Sequence, residues 1–339
     1  MTPVVLSLAG LTVATAERAL FRRAGPMGVI LFGRNIADRS QLSALTDELR
    51  ALSGRDDLPI LIDQEGGRVQ RMRAPGWPAY PAPARFGELW AINPSLALEA
   101  ARANAVALGS DLAEVGVTVN CLPVLDVPAP GAHQAIGDRA LGDDPIAVAA
   151  LGRAVLDGLA EAGVVGVIKH MPGQGRATVD SHHELPVVDS SEDELERDLE
   201  PFRTLRDSAM GMTGHVVFRA WDADRPASTS ALVIGDVIRG RIGFDGFLLS
   251  DDLDMKALRG APAELAGQVV EAGCDAALNC WGRLEEMAAT VDRLGEADPR
   301  SVARLDRAMG SVRRAPEEAR ERGRDALARR DELMAAAQS

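Results

Sequence analysis

Gly163-Val164-Val165-Gly166-Val167-Ile168-Lys169-His170 is an apolar, β-branched run that ends abruptly in two ionisable side chains. Val165–Lys169 has the composition and length of a buried strand. Upstream, Asp144-Pro145 marks a helix start, with an Asp as N-cap and a Pro just inside the first turn. Gly163 suits the residue that stops that helix. Helix, strand and polar strand end therefore form one unit, and the unit recurs in both directions along the chain. Further strands are expected at Val4–Ser7, Gly28–Phe32, Pro59–Asp63, Val117–Asn120, Gly211–His215, Gly246–Ser250 and Asp275–Asn279. Between them, Leu42, Leu45, Leu49 and Leu52 follow Asp38 at helical spacing, Asn93-Pro94 opens another helix, and Ser191 with Glu194 makes a capping box. Gly116, Gly240 and Gly273 are expected to end helices as Gly163 does.

Eight strands alternating with helices predict an α/β fold, a (β/α)8 TIM barrel, for which about 250 residues is typical. A doubly wound sheet competes, but no GxGxxG follows the first strand. A single barrel domain is expected over residues 1–300, with a C-terminal helical tail over 301–339 packed on the barrel or extending from it. From about Pro316 that tail is rich in Glu, Arg and Ala and reads as a solvated helix.

Composition narrows the partners. Hydrophobic residues make up 46% and charged residues 26%, ordinary for a packed core. Lys plus Arg total 37 against 50 for Asp plus Glu, a formal charge of −13 that repels phosphate backbones and anionic bilayers. No nucleic-acid or membrane partner is expected. Cys121, Cys274 and Cys280 have no CxxC spacing and read as buried thiols of a reducing compartment. The apolar run Pro3 to Ala16 has no preceding Lys or Arg, so a first strand is favoured over a cleaved leader. A cytoplasmic location is expected.

Barrel enzymes carry their chemistry at the C-terminal ends of the strands. Here those ends run into Asp63-Gln64-Glu65-Gly66-Gly67-Arg68, Asn120, Lys169-His170, His215, Asp251-Asp252 and Asn279. Singly, each reads as a cap or a paired core group. Six at one end of one barrel point to an enzyme with a polar substrate. The connection from Met171 to Pro186 far exceeds the usual ~2–6 residues of a βα loop, a length typical of functional loops. Within it Asp180 and His182 lie two apart, so the carboxylate can orient an imidazole that titrates near neutrality. The bland alternative is a turn Asp beside an exposed His. His170, His182, His183 and His215 supply ligand types for a metal, but the first strand carries no HxH pair and no HExxH occurs, so no metal and no cofactor are expected.

Ile62-Asp63-Gln64-Glu65-Gly66-Gly67-Arg68-Val69-Gln70-Arg71, Lys169-His170-Met171-Pro172-Gly173, Asp180-Ser181-His182, and Gly243-Phe244-Asp245-Gly246 through Ser250-Asp251-Asp252-Leu253 together resemble glycoside hydrolase family 3. Within the family the likeness is to the single-domain bacterial β-N-acetylhexosaminidases of cell-wall recycling, and it runs from about Pro3 to Trp281. The resemblance implies a two-step retaining mechanism with Asp251 as nucleophile, His182 as general acid/base and Asp180 as its partner. Asp252 and His183 are their respective rivals. Strand alternation puts Asp251 and Asp252 on opposite faces without saying which face is the pocket. Substrate binding is implied for Asp63, Arg71, Arg139, Lys169, His170 and His215. Without the resemblance, Arg139 would read as a surface salt bridge. Two departures stand out: Gln174 and Met171 replace the family's His and Phe, with altered loop packing expected, and Ser7 stands where relatives often have an acid. The implied substrate is a small glycan, N-acetylglucosamine on an anhydro-muropeptide, handled by a monomer. A phosphorylase on the same site and a β-glucosidase remain open.

Overall fold

The computed structural model describes residues 1–181, 183–312 and 316–336. Eight parallel strands close into a barrel: β1 (Thr2–Leu6), β2 (Pro26–Leu31), β3 (Ile60–Ile62), β4 (Val119–Asn120), β5 (Val165–Met171), β6 (Met210–Thr213), β7 (Phe247–Asp252) and β8 (Ala276–Leu278). Each neighbours the next in sequence, and β8 pairs back onto β1 with Val5 opposite Leu278. The sequence therefore identifies every barrel strand, with ends displaced by a residue or two. The TIM-barrel expectation holds.

Alternation along the strands sorts the core into two layers. Val5, Ile30, Leu61, Val119, Val165, Val167, Met210, Met212, Phe247, Leu249 and Leu278 form one buried cluster, the barrel interior. Their neighbours Val4, Leu6, Val29, Leu31, Ile60, Ile62, Ile168 and Leu248 belong to a second cluster under the helices.

Those helices are α1 (Thr15–Ala24), α2 (Arg39–Ser53), α3 (Ala84–Ile92), α4 (Pro94–Glu114), α5 (Pro145–Glu161), α6 (Glu192–Thr204), α7 (Pro262–Ala272), α8 (Leu284–Arg293), α9 (Pro299–Met309) and α10 (Pro316–Ala336), with a π-wound segment at Val233–Ile242. The caps are those read from sequence: Asp38, Asn93 and Asp144 accept first-turn N–H groups, and Ser191 and Glu194 cap reciprocally. Gly163 and Gly273 take the left-handed backbone at helix ends. Gly240 does not. It lies inside the π-wound segment, and the positive φ of 76° that ends the winding belongs to Gly243.

Two C-terminal helices behave differently from a solvated tail. α9 adds Leu305, Ala308 and Met309 to the interior cluster and closes the N-terminal end of the barrel. A boundary after residue 300 thus falls within a helix that shares the barrel's core. α10 lies along α4, with Ala319 and Leu333 buried and Arg330 Nη1 donating to Asn104 Oδ1 at 3.2 Å. Among the described residues, no helix is long and apolar enough to cross a membrane.

Candidate active site

The inward parity of the strands continues up to and past their C-terminal ends. After Ile30 comes Phe32, after Leu61 Asp63, after Val167 Lys169, after Leu249 Asp251 and after Leu278 Cys280. All five line a cavity of about 260 Å³ at the C-terminal mouth of the barrel, together with Glu65, Arg68, Arg71, Arg139, His170, Gln174, Asp180, Ser181 and Asp252. The alternation that builds the core therefore also delivers the polar groups.

One wall is an ion cluster. Lys169 Nζ lies 2.6 Å from Glu65 Oε1 and 3.2 Å from Asp63 Oδ1. Arg139 clasps Glu65 at two points, each 2.8 Å, and Arg71 Nη2 reaches Asp63 Oδ2 at 3.1 Å. Burial opposes the charge on Glu65, but Lys169 and Arg139 override it and hold the carboxyl far below its usual range. Burial likewise opposes ionisation of Asp63, and the Lys169 and Arg71 charges again leave it lowered. Lys169 is desolvated too, yet Glu65 and Asp63 raise it. The cluster is fully ionised, with three cations against two carboxylates. Arg139 is 8% exposed, so its salt bridge is a buried one and not the surface pair its sequence context suggests.

His170 is held by a group that the sequence reading did not single out. Asp126, buried in the loop after β4, sits 2.6 Å from His170 Nδ1 through Oδ2. Its Oδ1 accepts the backbone N–H groups of His170 and Gln174 at 3.3 and 2.8 Å. A carboxylate against Nδ1 favours the Nδ1–H tautomer over the Nε2–H one. Glu65 was visible only as part of a motif, and no signal short of the fold marks it as the hub of two cations. Asn120 serves structure, exchanging hydrogen bonds with the Gln64 backbone. Ser7 Oγ donates to Ile30 O and accepts from Arg34 Nη2 at 2.7 Å, a neutral anchor between two elements.

Asp251 and Asp252 both line the cavity, because the register of β7 slips between Leu249 and Asp252 and breaks strict alternation there. Their environments differ. Asp252 is engaged at both oxygens: Oδ1 accepts from Asp254 N and Oδ2 from Trp281 Nε1, each at 3.1 Å. Burial pushes it up to about 6; the Asp254 N–H opposes that rise and the Asp251 charge adds to it. Asp251 accepts only its neighbour's N–H, at 2.8 Å on Oδ1, which leaves Oδ2 without a partner among the described residues.

His215 is not among the described residues that line this cavity. Met210 and Met212 face inward, so Thr213 and His215 share the other parity. The His215 ring is buried, with Nδ1 2.7 Å from Ser228 Oγ and Nε2 3.0 Å from the Asp252 carbonyl, and it is not part of the cavity wall. Its contacts brace the backbone that carries Asp252. Asp180 and Ser181 lie in the wall; His182 lies outside the described residues. His183 is exposed and not in the wall. Arg176, in the same loop, is tied to α6 by Asp198 Oδ2 at 2.6 Å and the Glu194 carbonyl at 3.0 Å. All three cysteines are buried free thiols, as expected. Among the described residues, no group of three or more His, Cys, Asp or Glu side chains is arranged to hold a metal ion.

The comparisons with known proteins bear on this arrangement. The sequence matches the family described as Glycosyl hydrolase family 3 N terminal domain over residues 6–314. It is 38% identical to a beta-hexosaminidase of Bordetella avium over 312 residues, covering 91% of this chain and 88% of that protein. It is 39% identical to a beta-hexosaminidase of Chromobacterium violaceum over 317 residues, covering 92% and 87%. In structure it resembles NagZ from Neisseria gonorrhoeae in complex with N-trifluoroacetyl-D-glucosamine, with a TM-score of 0.89 and 33% identity over 99% of this chain and 98% of that one. The Neisseria protein has also been solved with a zinc ion. With that coverage at that identity, the chain belongs to glycosyl hydrolase family 3 and is a glycoside hydrolase.

Proposed function

We propose that this protein is a retaining exo-β-N-acetylglucosaminidase that removes the terminal non-reducing N-acetylglucosamine from anhydro-muropeptides in peptidoglycan recycling. The observation that carries the reading is Asp251, an acid with one oxygen uncommitted among the described residues, in a cavity sized for a single sugar and walled on one side by paired charges. A carboxylate so placed attacks the anomeric carbon as the glycosidic C–O bond breaks, giving a glycosyl ester. The leaving oxygen takes its proton from the His182 imidazole, which Asp180 orients. Water then supplies a hydroxyl to the anomeric carbon and a proton back to His182, freeing Asp251. Asp63, Arg71, Lys169 and His170 serve as hydrogen-bonding groups for the sugar hydroxyls, with Arg139 holding Glu65 in place beneath them. His215 belongs to this scheme as a support for the Asp252 backbone.

The relatives named beta-hexosaminidase and the Neisseria complex with an N-acylated glucosamine support the choice of sugar. The acidic composition favours a small-molecule partner over nucleic acid or an anionic membrane, and the enzyme is read as a cytoplasmic monomer. Incubation with a slow fluorinated N-acetylglucosaminyl donor, followed by peptide mass spectrometry, should find the adduct on Asp251; a label on another residue refutes the mechanism. Turnover of aryl N-acetylglucosaminide should exceed that of aryl glucoside. In phosphate buffer the product should be free sugar, since sugar 1-phosphate would make the enzyme a phosphorylase.

A further inference from the structure

Trp281 stands just beyond the end of β8 and is 48% exposed. A single exposed apolar side chain normally needs no explanation. Three observations set this one apart. Its Nε1 donates to Asp252 Oδ2 at 3.1 Å, which ties the edge of the indole to a group of the cavity wall. The loop that carries it is braced: a Cβ on Gly282 would sit 2.4 Å from the Leu8 carbonyl carbon, so the turn packs directly on the loop after β1. The Arg283 guanidinium lies 5.3 Å from the ring centroid and fixes the ring further. The cavity of about 260 Å³ takes one hexosamine, so whatever is attached to that sugar's anomeric oxygen has to rest on the rim.

We propose that Trp281 is the platform for the leaving-group sugar, its indole stacking on the apolar face of the second pyranose while Asp252 holds the ring at the cavity edge. This rests on the exo-glucosaminidase reading above. A flat, rigid aromatic offers area to a C–H-rich sugar face at little conformational cost, with its N–H already satisfied. Trp281 is then a residue that sets preference for the leaving group.

Two substrates separate this role from a structural one: N,N′-diacetylchitobiose, which has a second ring, and N-acetylglucosaminyl fluoride, which has none. Covering about 60 Å² of apolar sugar surface corresponds to about a tenfold effect. In Trp281→Ala the ratio of kcat/KM for the disaccharide to that for the fluoride should fall about tenfold. Trp281→Phe keeps a smaller ring and loses the N–H that Asp252 holds, and should give a ratio between those of the wild type and Trp281→Ala. An unchanged ratio in Trp281→Ala, or an equal fall for both substrates, overturns the platform and leaves the glucosaminidase reading intact. Wild-type enzyme that hydrolyses neither compound refutes that reading, and the platform with it.

Discussion

Glu65 Oε1 and Lys169 Nζ stand 2.6 Å apart, both withdrawn from solvent, at the point where the barrel core gives way to the cavity. Glu65 also binds Arg139 at two points, so its loss strips Arg139 of its carboxylate and leaves Lys169 with Asp63 alone. Removing one partner of such a group leaves charge buried without compensation, which costs about 3–5 kcal/mol. Glu65→Ala should therefore lose stability on that scale in urea unfolding, and Glu65→Gln, which keeps one acceptor, should lose less. A Glu65→Ala loss below about 1 kcal/mol would show that the cluster is solvated as a surface pair is.

Asp126 invites a different measurement. Its Oδ2 sits 2.6 Å from His170 Nδ1, and its Oδ1 takes two backbone N–H groups. In Asp126→Asn the carbonyl oxygen can keep the backbone bonds, but the amide N–H₂ then faces Nδ1 and forces the proton onto Nε2. Nitrogen NMR of the imidazole should show the Nδ1–H form in the wild type and the Nε2–H form in the variant. Because one ligand-facing acceptor becomes a donor, kcat/KM should fall about tenfold or more. An unchanged tautomer would mean that Asp126 does not orient His170.

These two carboxylates also show where sequence reading stops. All eight strands are legible because parallel barrel strands are buried on both faces and appear as short apolar runs between capped helices. Asp63 and Lys169 are legible because each is the next inward residue after an apolar inward one, whereas alternation alone leaves Asp251 and Asp252 open and only the family resemblance chooses between them. Asp126 is not, since it sits in an irregular loop where no periodicity applies, and its partner is far away in sequence. His215 is harder to place from sequence, because its position at a strand end looks equivalent to that of Lys169 while its parity is that of Thr213. Gly240 misleads because a π-wound segment outlasts the expected stop.

Asp252 should reveal itself through pH. Burial raises its folded value to about 6, against the 3.8 of an ordinary aspartate. Between those values the folded protein holds a proton that the unfolded chain releases, so this group's contribution to stability falls as pH rises from about 4 to 6 and is constant outside that window. Asp252→Asn has no such proton. It also gives up one acceptor, a pH-independent cost of about 1 kcal/mol. Its stability relative to wild type should therefore improve by about 2 kcal/mol between the acid and neutral ends of the window. Urea unfolding of both proteins across that range checks this; parallel curves would place Asp252 in contact with solvent.

The last expectation separates the two adjacent acids by chemistry. If Asp251 forms the ester, Asp251→Ala removes the nucleophile and should lower kcat/KM on the order of 10⁴-fold with an aryl N-acetylglucosaminide. The small cavity left in its place admits azide, which attacks the anomeric carbon from the face Asp251 occupied. The product would then be an α-glycosyl azide, formed in one displacement with inversion. Asp252→Ala should behave otherwise: it loses the hydrogen bonds to Asp254 and Trp281, which weakens the rim but leaves the Asp251 oxygens in place. Its loss should be smaller, and azide should not rescue it. Rescue of Asp252→Ala in place of Asp251→Ala would transfer the nucleophile to the second acid, whose two hydrogen bonds would have to break on each turnover.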